Sequence, residues 1–153
     1  MRYPPQPFDA LELGQLFRHG PRTVSRADIA DFARLSGDHT ALHTDDEYAA
    51  TTPLKGLVAH GALTLAIATG LAYEMGIFEG MVLAFRGLSS DYERPVRPGD
   101  QLTLSLLVAE LDAQPRPDRG RVSLAAALEN QTGRRVLSGT WRLLVRRETV
   151  DLG

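Results

Sequence analysis

Residues 61–72 read Gly-Ala-Leu-Thr-Leu-Ala-Ile-Ala-Thr-Gly-Leu-Ala, and the expected fold is built around this stretch. It carries no charge and is apolar on nearly every side, which is typical of a helix that is buried on nearly every side. The wider run from Leu57 to Ala72 is too short to span a bilayer, and His60, Thr64 and Thr69 interrupt it. The stretch therefore predicts a helix at the centre of a globular core, without a membrane partner.

The sequence beyond Met81 changes to a period of two residues. Leu102, Leu104 and Leu106 alternate with polar residues, as in a half-buried strand. The segments expected to form further strands are 16–24, 122–129 and 135–146, with turns at 98–100 and 130–133 and a loop at 112–120. Because no helix separates the last strands, a parallel doubly wound fold is excluded. The pattern predicts an α+β protein in which an antiparallel sheet wraps around one buried helix.

Two helix-start signatures precede the apolar stretch. Ser25 with Asp28 nearly matches a capping box, and the helix that follows should end at Gly37. Thr44 with Glu47 repeats the signature and predicts a short second helix. Residues 37–43 are then expected to form a loop between the two helices.

Composition narrows the class of protein further. The chain has 153 residues, 43% of them hydrophobic, which predicts one domain spanning residues 1–153. Seventeen basic and nineteen acidic residues give a net charge of -2, which argues against a nucleic-acid partner. The absence of cysteine excludes disulfides, thiolate metal sites and a cysteine nucleophile. Without an apolar segment near Met1, the expected location is the cytoplasm.

The polar residues around the predicted loop form the candidate site. Asp38 and His43 lie in the loop, where a compact backbone can bring a carboxylate beside an imidazole to activate water. Gly61 would begin the buried helix, and its N–H would hold a carbonyl oxygen that gains negative charge. His60, on an apolar segment, is more often a hydrogen-bonded core residue than an acid or base. Spacing alone makes this site a hypothesis.

The same residues carry a resemblance to the MaoC-like, (R)-specific enoyl-CoA hydratase family of hotdog-fold proteins. The family signature is Asp-x-Asn-Pro-x-His followed by a downstream His-Gly pair. Asp38 and His43 hold its first and last positions, and His60-Gly61 matches the pair. Thr40 and Ala41 replace the Asn and Pro. The segment Arg94–Asp100 resembles the family's later Pro-Val-x-x-Gly-Asp turn.

The resemblance implies a single hotdog domain and a role for each site residue. Asp38 and His43 would bind and activate the water, and the Gly61 N–H would bind the thioester oxygen. Thr69 falls where the family often places a serine near the substrate, and His60 would be a structural member of the substrate-binding His-Gly pair. No cofactor is expected, because CoA is part of the substrate. No metal is expected either, because the histidines and acids lack an obvious ligand spacing and the implied mechanism needs none. A second copy of the chain is expected to complete the acyl-binding site.

Three functions follow from these observations. The first is reversible hydration of a 2-enoyl-CoA to a 3-hydroxyacyl-CoA, catalysed by a hydro-lyase. The second is a hotdog acyl-CoA thioesterase, whose usual acid on the central helix has no counterpart between Ala62 and Ala72. The third is a non-catalytic acyl-thioester-binding subunit, suggested by Thr40 and Ala41. A further hypothesis assigns CoA phosphates to Arg116, Arg119 and Arg121, although charged loops of this kind are usually only solvated.

Overall fold

A computed structural model of the chain describes residues 2–113 and 116–147. After a 3₁₀ turn at Phe8–Ala10, strands and helices follow one another along these residues. Their order is β1 (Leu16–Thr23), α1 (Arg26–Ser36), α2 (Ala41–Thr44), α3 (Asp46–Thr51), α4 (Gly61–Met75), β2 (Val82–Leu88), β3 (Asp91–Tyr92), β4 (Gln101–Asp112), β5 (Arg119–Glu129) and β6 (Arg135–Arg146).

The strands form one antiparallel sheet in the order β1-β4-β5-β6-β2, and the short β3 pairs with β6. Side chains alternate across it, so that Leu102, Leu104 and Leu106 of β4 are fully buried on its inner face. Trp141 of β6 and the buried residues of α4 complete the core. The predicted α+β arrangement, with an antiparallel sheet around a central helix, is confirmed.

Helix α4 is not buried on nearly every side, as its sequence predicts. Leu63, Ile67 and Leu71 pack into the core, whereas Ala62, Ala66, Thr69 and Tyr73 are exposed. The exposed residues recur at helical spacing and therefore share one face. The expectation that α4 is buried on nearly every side is wrong for the single chain, because the sheet covers only the inner side of the helix.

The helix boundaries follow the capping signals with one correction. Ser25 and Asp28 form a complete capping box, and Gly37 ends α1 in the left-handed conformation with φ 78°. The second signature is displaced by one residue, because the Asp45 side chain, not that of Thr44, accepts the Tyr48 N–H at the start of α3. A four-residue helix, α2, also occupies the end of the predicted loop.

The turns at 98–100 and 130–133 are confirmed by their backbone hydrogen bonds. The loop predicted at 112–120 is shorter, because β4 continues to Asp112 and β5 begins at Arg119; residues 114 and 115 lie outside the described part. The sequence does not single out β2, whose pairing with β6 contains two irregularities that break the alternation. Within the described residues, no helix is long and apolar enough to cross a bilayer.

Candidate active site

Two segments that lie far apart in the sequence meet at the amino end of α4. The first is the turn and short helix after α1, which carries Asp38 and His43. The second contains Val58 and His60 and leads into α4, and it is anchored to the sheet side by the Ala59 N–H···O=C Val96 bond of 2.7 Å. Their contact creates the cluster predicted from the sequence.

His43 is partly buried and fixed by one hydrogen bond. Its Nδ1 lies 2.7 Å from the carbonyl oxygen of Val58. Since a carbonyl oxygen only accepts, Nδ1 must carry the hydrogen, and in the neutral ring Nε2 keeps its lone pair. The backbone of Val58 thereby selects the tautomer in which His43 presents a base at Nε2.

His60 uses the opposite nitrogen and lies beneath His43. Its side chain is buried, with 2% of the residue exposed, and its Nε2 donates to the main-chain oxygen of Asp38 at 3.0 Å. Its Nδ1 has no hydrogen-bond partner among the described residues. The two imidazoles stack with centroids 3.9 Å apart at 28°, and Phe32 packs at 4.9 Å on His60. Burial favours a structural role for His60 over contact with a substrate.

Asp38 is exposed, and its carboxylate accepts two hydrogen bonds from one residue. The Thr40 hydroxyl and the Thr40 N–H reach the same oxygen, Oδ1, at 2.6 and 3.1 Å. These two bonds, with weaker electrostatic contributions from His60 and His43, hold the pKa of Asp38 below its usual value, although partial desolvation opposes the shift. Asp38 is therefore a carboxylate, able to accept a proton, at neutral pH.

The cluster has the dimensions to hold a water molecule. One oxygen of Asp38 and one ring nitrogen each of His43 and His60 lie within 4.8 Å of one another. A water about 2.8 Å from each of two acceptors can bridge atoms up to about 5.6 Å apart. The same three atoms, one carboxylate oxygen and two imidazole nitrogens, are of types that also bind metal ions in proteins. The expectation that the site holds neither metal nor cofactor stays a prediction.

Gly61 is the first residue of α4, as predicted. In this position its N–H has no partner within the helix and lies at the positive end of the helix dipole. The ring of Tyr92, from β3, lies against the glycine: a Cβ at residue 61 would be only 3.1 Å from two ring carbons. The absence of a side chain therefore allows Tyr92 to approach the start of the helix.

A comparison with protein families finds a match over most of the chain. The model of the MaoC like domain covers residues 10–129, which include Asp38, His43, His60 and Gly61. The chain belongs to the MaoC-like domain family. The resemblance inferred from the motif is thus confirmed.

Individual members of the MaoC-like family are similar over most of the chain. The (R)-specific enoyl-CoA hydratase of Aeromonas caviae is 32% identical over 130 residues, covering 85% of this chain and 92% of that protein. The 3-hydroxybutyryl-CoA dehydratase of Methylorubrum extorquens is 31% identical over 118 residues, covering 77% and 71%.

A solved structure identifies the fold. A Mycobacterium tuberculosis protein described as a double hotdog fold superimposes with a TM-score of 0.83 at 23% identity, and the match covers 97% of this chain and 46% of that chain. The predicted hotdog fold is confirmed.

Two predicted features of this MaoC-like chain lie away from the cluster. Thr69 is eight residues beyond Gly61, about 12 Å along α4, and its hydroxyl donates to the Ala66 carbonyl at 2.7 Å. The hypothesis that Thr69 lies near the substrate stays a prediction, because the fold of one chain does not bring it to Asp38.

The three arginines with a proposed phosphate role line an open groove of about 650 Å³ on the outer face of the sheet, and Arg86 and Arg142 lie beside them. Arg121 pairs with Leu144 of β6, whereas Leu137, next to the site, pairs with Tyr92. The two positions on β6 are about 23 Å apart. Arg119 is also bound to Asp118 at 2.7 Å. The hypothesis that these arginines bind the CoA phosphates stays a prediction, and the fold of a single chain does not support it.

Sequence reasoning missed two partners within the site. The sequence identified Thr40 only as a residue that departs from the signature. A threonine two residues after an aspartate is, however, a common local hydrogen-bonding pattern, which could have indicated its contact with Asp38. The Val58 carbonyl carries no side-chain signal, since any residue supplies the same oxygen.

Proposed function

We propose that this MaoC-like chain catalyses the reversible addition of water to a 2-enoyl-CoA thioester, giving a 3-hydroxyacyl-CoA. The observation that carries the proposal is the Asp38 carboxylate within 4.8 Å of the His43 ring, whose Nδ1 is tied to Val58. The two similar proteins, a hydratase and a dehydratase, are named for the two directions of this reaction. By similarity to the Aeromonas protein, we infer the (R)-3-hydroxy product.

In the hydration direction, the water lies between Asp38 and His43. The free Oδ2 of Asp38 takes one proton as the water oxygen forms a bond to C3, and His43 Nε2 orients the second hydrogen. The π electrons of the C2–C3 bond move toward the thioester carbonyl. The proton held by Asp38 then passes to C2 on the same face, so the carboxylate is restored.

The thioester oxygen gains negative charge as the C3–O bond forms. The Gly61 N–H meets this charge at the start of α4, where the helix dipole also favours an anion. Because this interaction strengthens as the charge develops, it stabilises the transition state more than the bound substrate.

Asp38→Asn tests the proposal with crotonyl-CoA as substrate, following loss of the enoyl absorbance. Asparagine keeps the side-chain oxygen that accepts from Thr40 but removes the base, so kcat should fall by roughly 10²–10⁴-fold. The melting temperature should stay near that of the wild type, because Asp38 is exposed. Wild-type turnover by a folded Asp38→Asn variant would remove Asp38 from the mechanism.

The thioesterase alternative gains no support from the position of the nearest acid on α4. Glu74 lies in the last turn of the helix, at the end opposite Gly61, and its carboxylate is 3.4 Å from His19. Release of free thiol from a saturated acyl-CoA would favour this alternative. Substrate binding with turnover only after a second hotdog chain is added would favour the non-catalytic subunit.

We also propose that two copies of the chain form the working unit. The exposed face of α4 includes Ala62 and Tyr73, and the edge strand β2 exposes Phe85 and Leu88. The Mycobacterium tuberculosis neighbour carries two hotdog units in its fold, and this chain covers 46% of it. Sedimentation should therefore give about twice the 16.7 kDa of one chain; a monomer at assay concentration would contradict the proposal.

A further inference from the structure

Thr40 occupies a position at which a threonine side chain usually caps a helix. It is the N-cap residue of α2, and N-cap hydroxyls ordinarily accept a hydrogen bond from the first turn of the helix. No such bond is present at Thr40. Its hydroxyl instead turns back and donates to Asp38 Oδ1 at 2.6 Å. An N-cap role for α2 therefore does not explain the orientation of this side chain.

The hydrogen bonds that the described residues make with Asp38 leave one of its polar atoms available. Its N–H donates to the Ser36 hydroxyl at 3.1 Å, and its main-chain oxygen accepts from His60. Oδ1 accepts both bonds from Thr40. Among the residues that the structure describes, none donates a hydrogen bond to Oδ2.

We propose that the Thr40 hydroxyl is a positioning group for Asp38, which holds Oδ1 and thereby directs Oδ2 toward the reacting water. The inference rests on the proposed hydration and adds to it a residue that stands where the family signature has asparagine. Thr40 does not touch the substrate and acts only through the carboxylate. In this chain the residue that replaces the signature asparagine donates to the carboxylate.

The effect of Thr40 on the pKa of Asp38 can be separated from the effects of the two neighbouring histidines. The titratable groups that face the carboxylate are His43 on α2 and His60 at the start of α4. The hydroxyl of Thr40 is the largest cause that lowers the pKa of Asp38, ahead of the Thr40 N–H and both histidines. Removing the hydroxyl should therefore raise this pKa while both imidazoles remain.

The test compares Thr40→Val with Thr40→Ser. Valine keeps the branched shape and the backbone N–H but lacks the hydroxyl, whereas serine keeps the hydroxyl. We expect Thr40→Val to lower kcat for crotonyl-CoA by roughly ten- to a hundredfold, part of what a positioned base supplies, with KM little changed. The acid limb of its kcat/KM profile should move to higher pH. Thr40→Ser should resemble the wild type in both measurements.

A second readout does not depend on turnover. The ¹³C shift of the Asp38 carboxyl, followed by NMR against pH in the full-length chain, should give a higher pKa in Thr40→Val than in wild type and Thr40→Ser. Equal pKa values in all three proteins would overturn the inference, as would equal pH–rate profiles. If the wild type does not hydrate enoyl-CoA, the proposed function fails, whereas the NMR comparison still decides whether Thr40 controls Asp38. Thr40→Ala replaces Thr40→Val if the latter does not fold.

Discussion

The two stacked histidines of the site lie in contrasting surroundings. His43 is on a short helix at the surface, donates from Nδ1 to a carbonyl, and keeps Nε2 available. His60 precedes the central helix, is buried, and donates from Nε2 to Asp38. Because each ring uses the opposite nitrogen, His43 keeps an acceptor at Nε2, whereas His60 holds the backbone that carries the Asp38 carboxylate.

The contrast also defines how to test each ring with amides. An asparagine amide can replace Nδ1 of a histidine, whereas the longer glutamine amide can replace Nε2. Neither amide is basic at neutral pH. Asparagine should therefore keep the existing hydrogen bond at His43 and lose it at His60, whereas glutamine should do the reverse.

The largest effect is expected at His43. His43→Asn retains a donor for the Val58 carbonyl but removes the Nε2 acceptor that orients the second hydrogen of the water, so kcat should fall by roughly 10²–10⁴-fold. The free energy of unfolding should change little, because the bond to Val58 is kept. Steady-state kinetics and urea denaturation of the same preparation check both parts. High activity in His43→Asn would show that Nε2 does not orient the reacting water.

An intermediate effect is expected at His60. His60→Asn loses the donor to the Asp38 carbonyl and leaves buried polar groups unpaired, which should destabilise the fold by about 1–3 kcal/mol. Its kcat should fall by up to about a hundredfold, as a displacement of about 1 Å can cause. His60→Gln, which can keep the bond, is the matched control and should remain closer to wild type in both measurements. Equal behaviour of the two variants would contradict the assigned positioning role.

The smallest effect is expected at Gly61. Gly61→Ala places a Cβ 3.1 Å from the Tyr92 ring, so the ring or the helix start must move by a few tenths of an ångström. We expect kcat/KM to fall roughly fivefold, about 1 kcal/mol. In a Tyr92→Ala background the same substitution should have almost no effect. A fivefold loss in both backgrounds would mean that Gly61 acts independently of Tyr92.

Much of the site follows from local sequence patterns. The Asp38, His43 and His60-Gly61 spacing identified the cluster, and the cap at Ser25 and the stop at Gly37 defined the helix that leads to it. Such features depend on hydrogen bonds between residues close in the chain, which the order of residue types reveals. The predicted start of α3 is wrong by one residue. Thr44 and Asp45 are both good N-cap residues, and the choice between them depends on α2.

Sequence patterns alone predict the class of fold, the central helix, the long antiparallel strands and the residue types of the site, because periodicity and capping are local. The tertiary structure determines which nitrogen each histidine presents, because His43 and His60 bind the main-chain oxygens of Val58 and Asp38, which lie 15 and 22 residues away along the chain. It also decided that one face of α4 is exposed, because apolar residues alone do not indicate how much of a helix one sheet can cover.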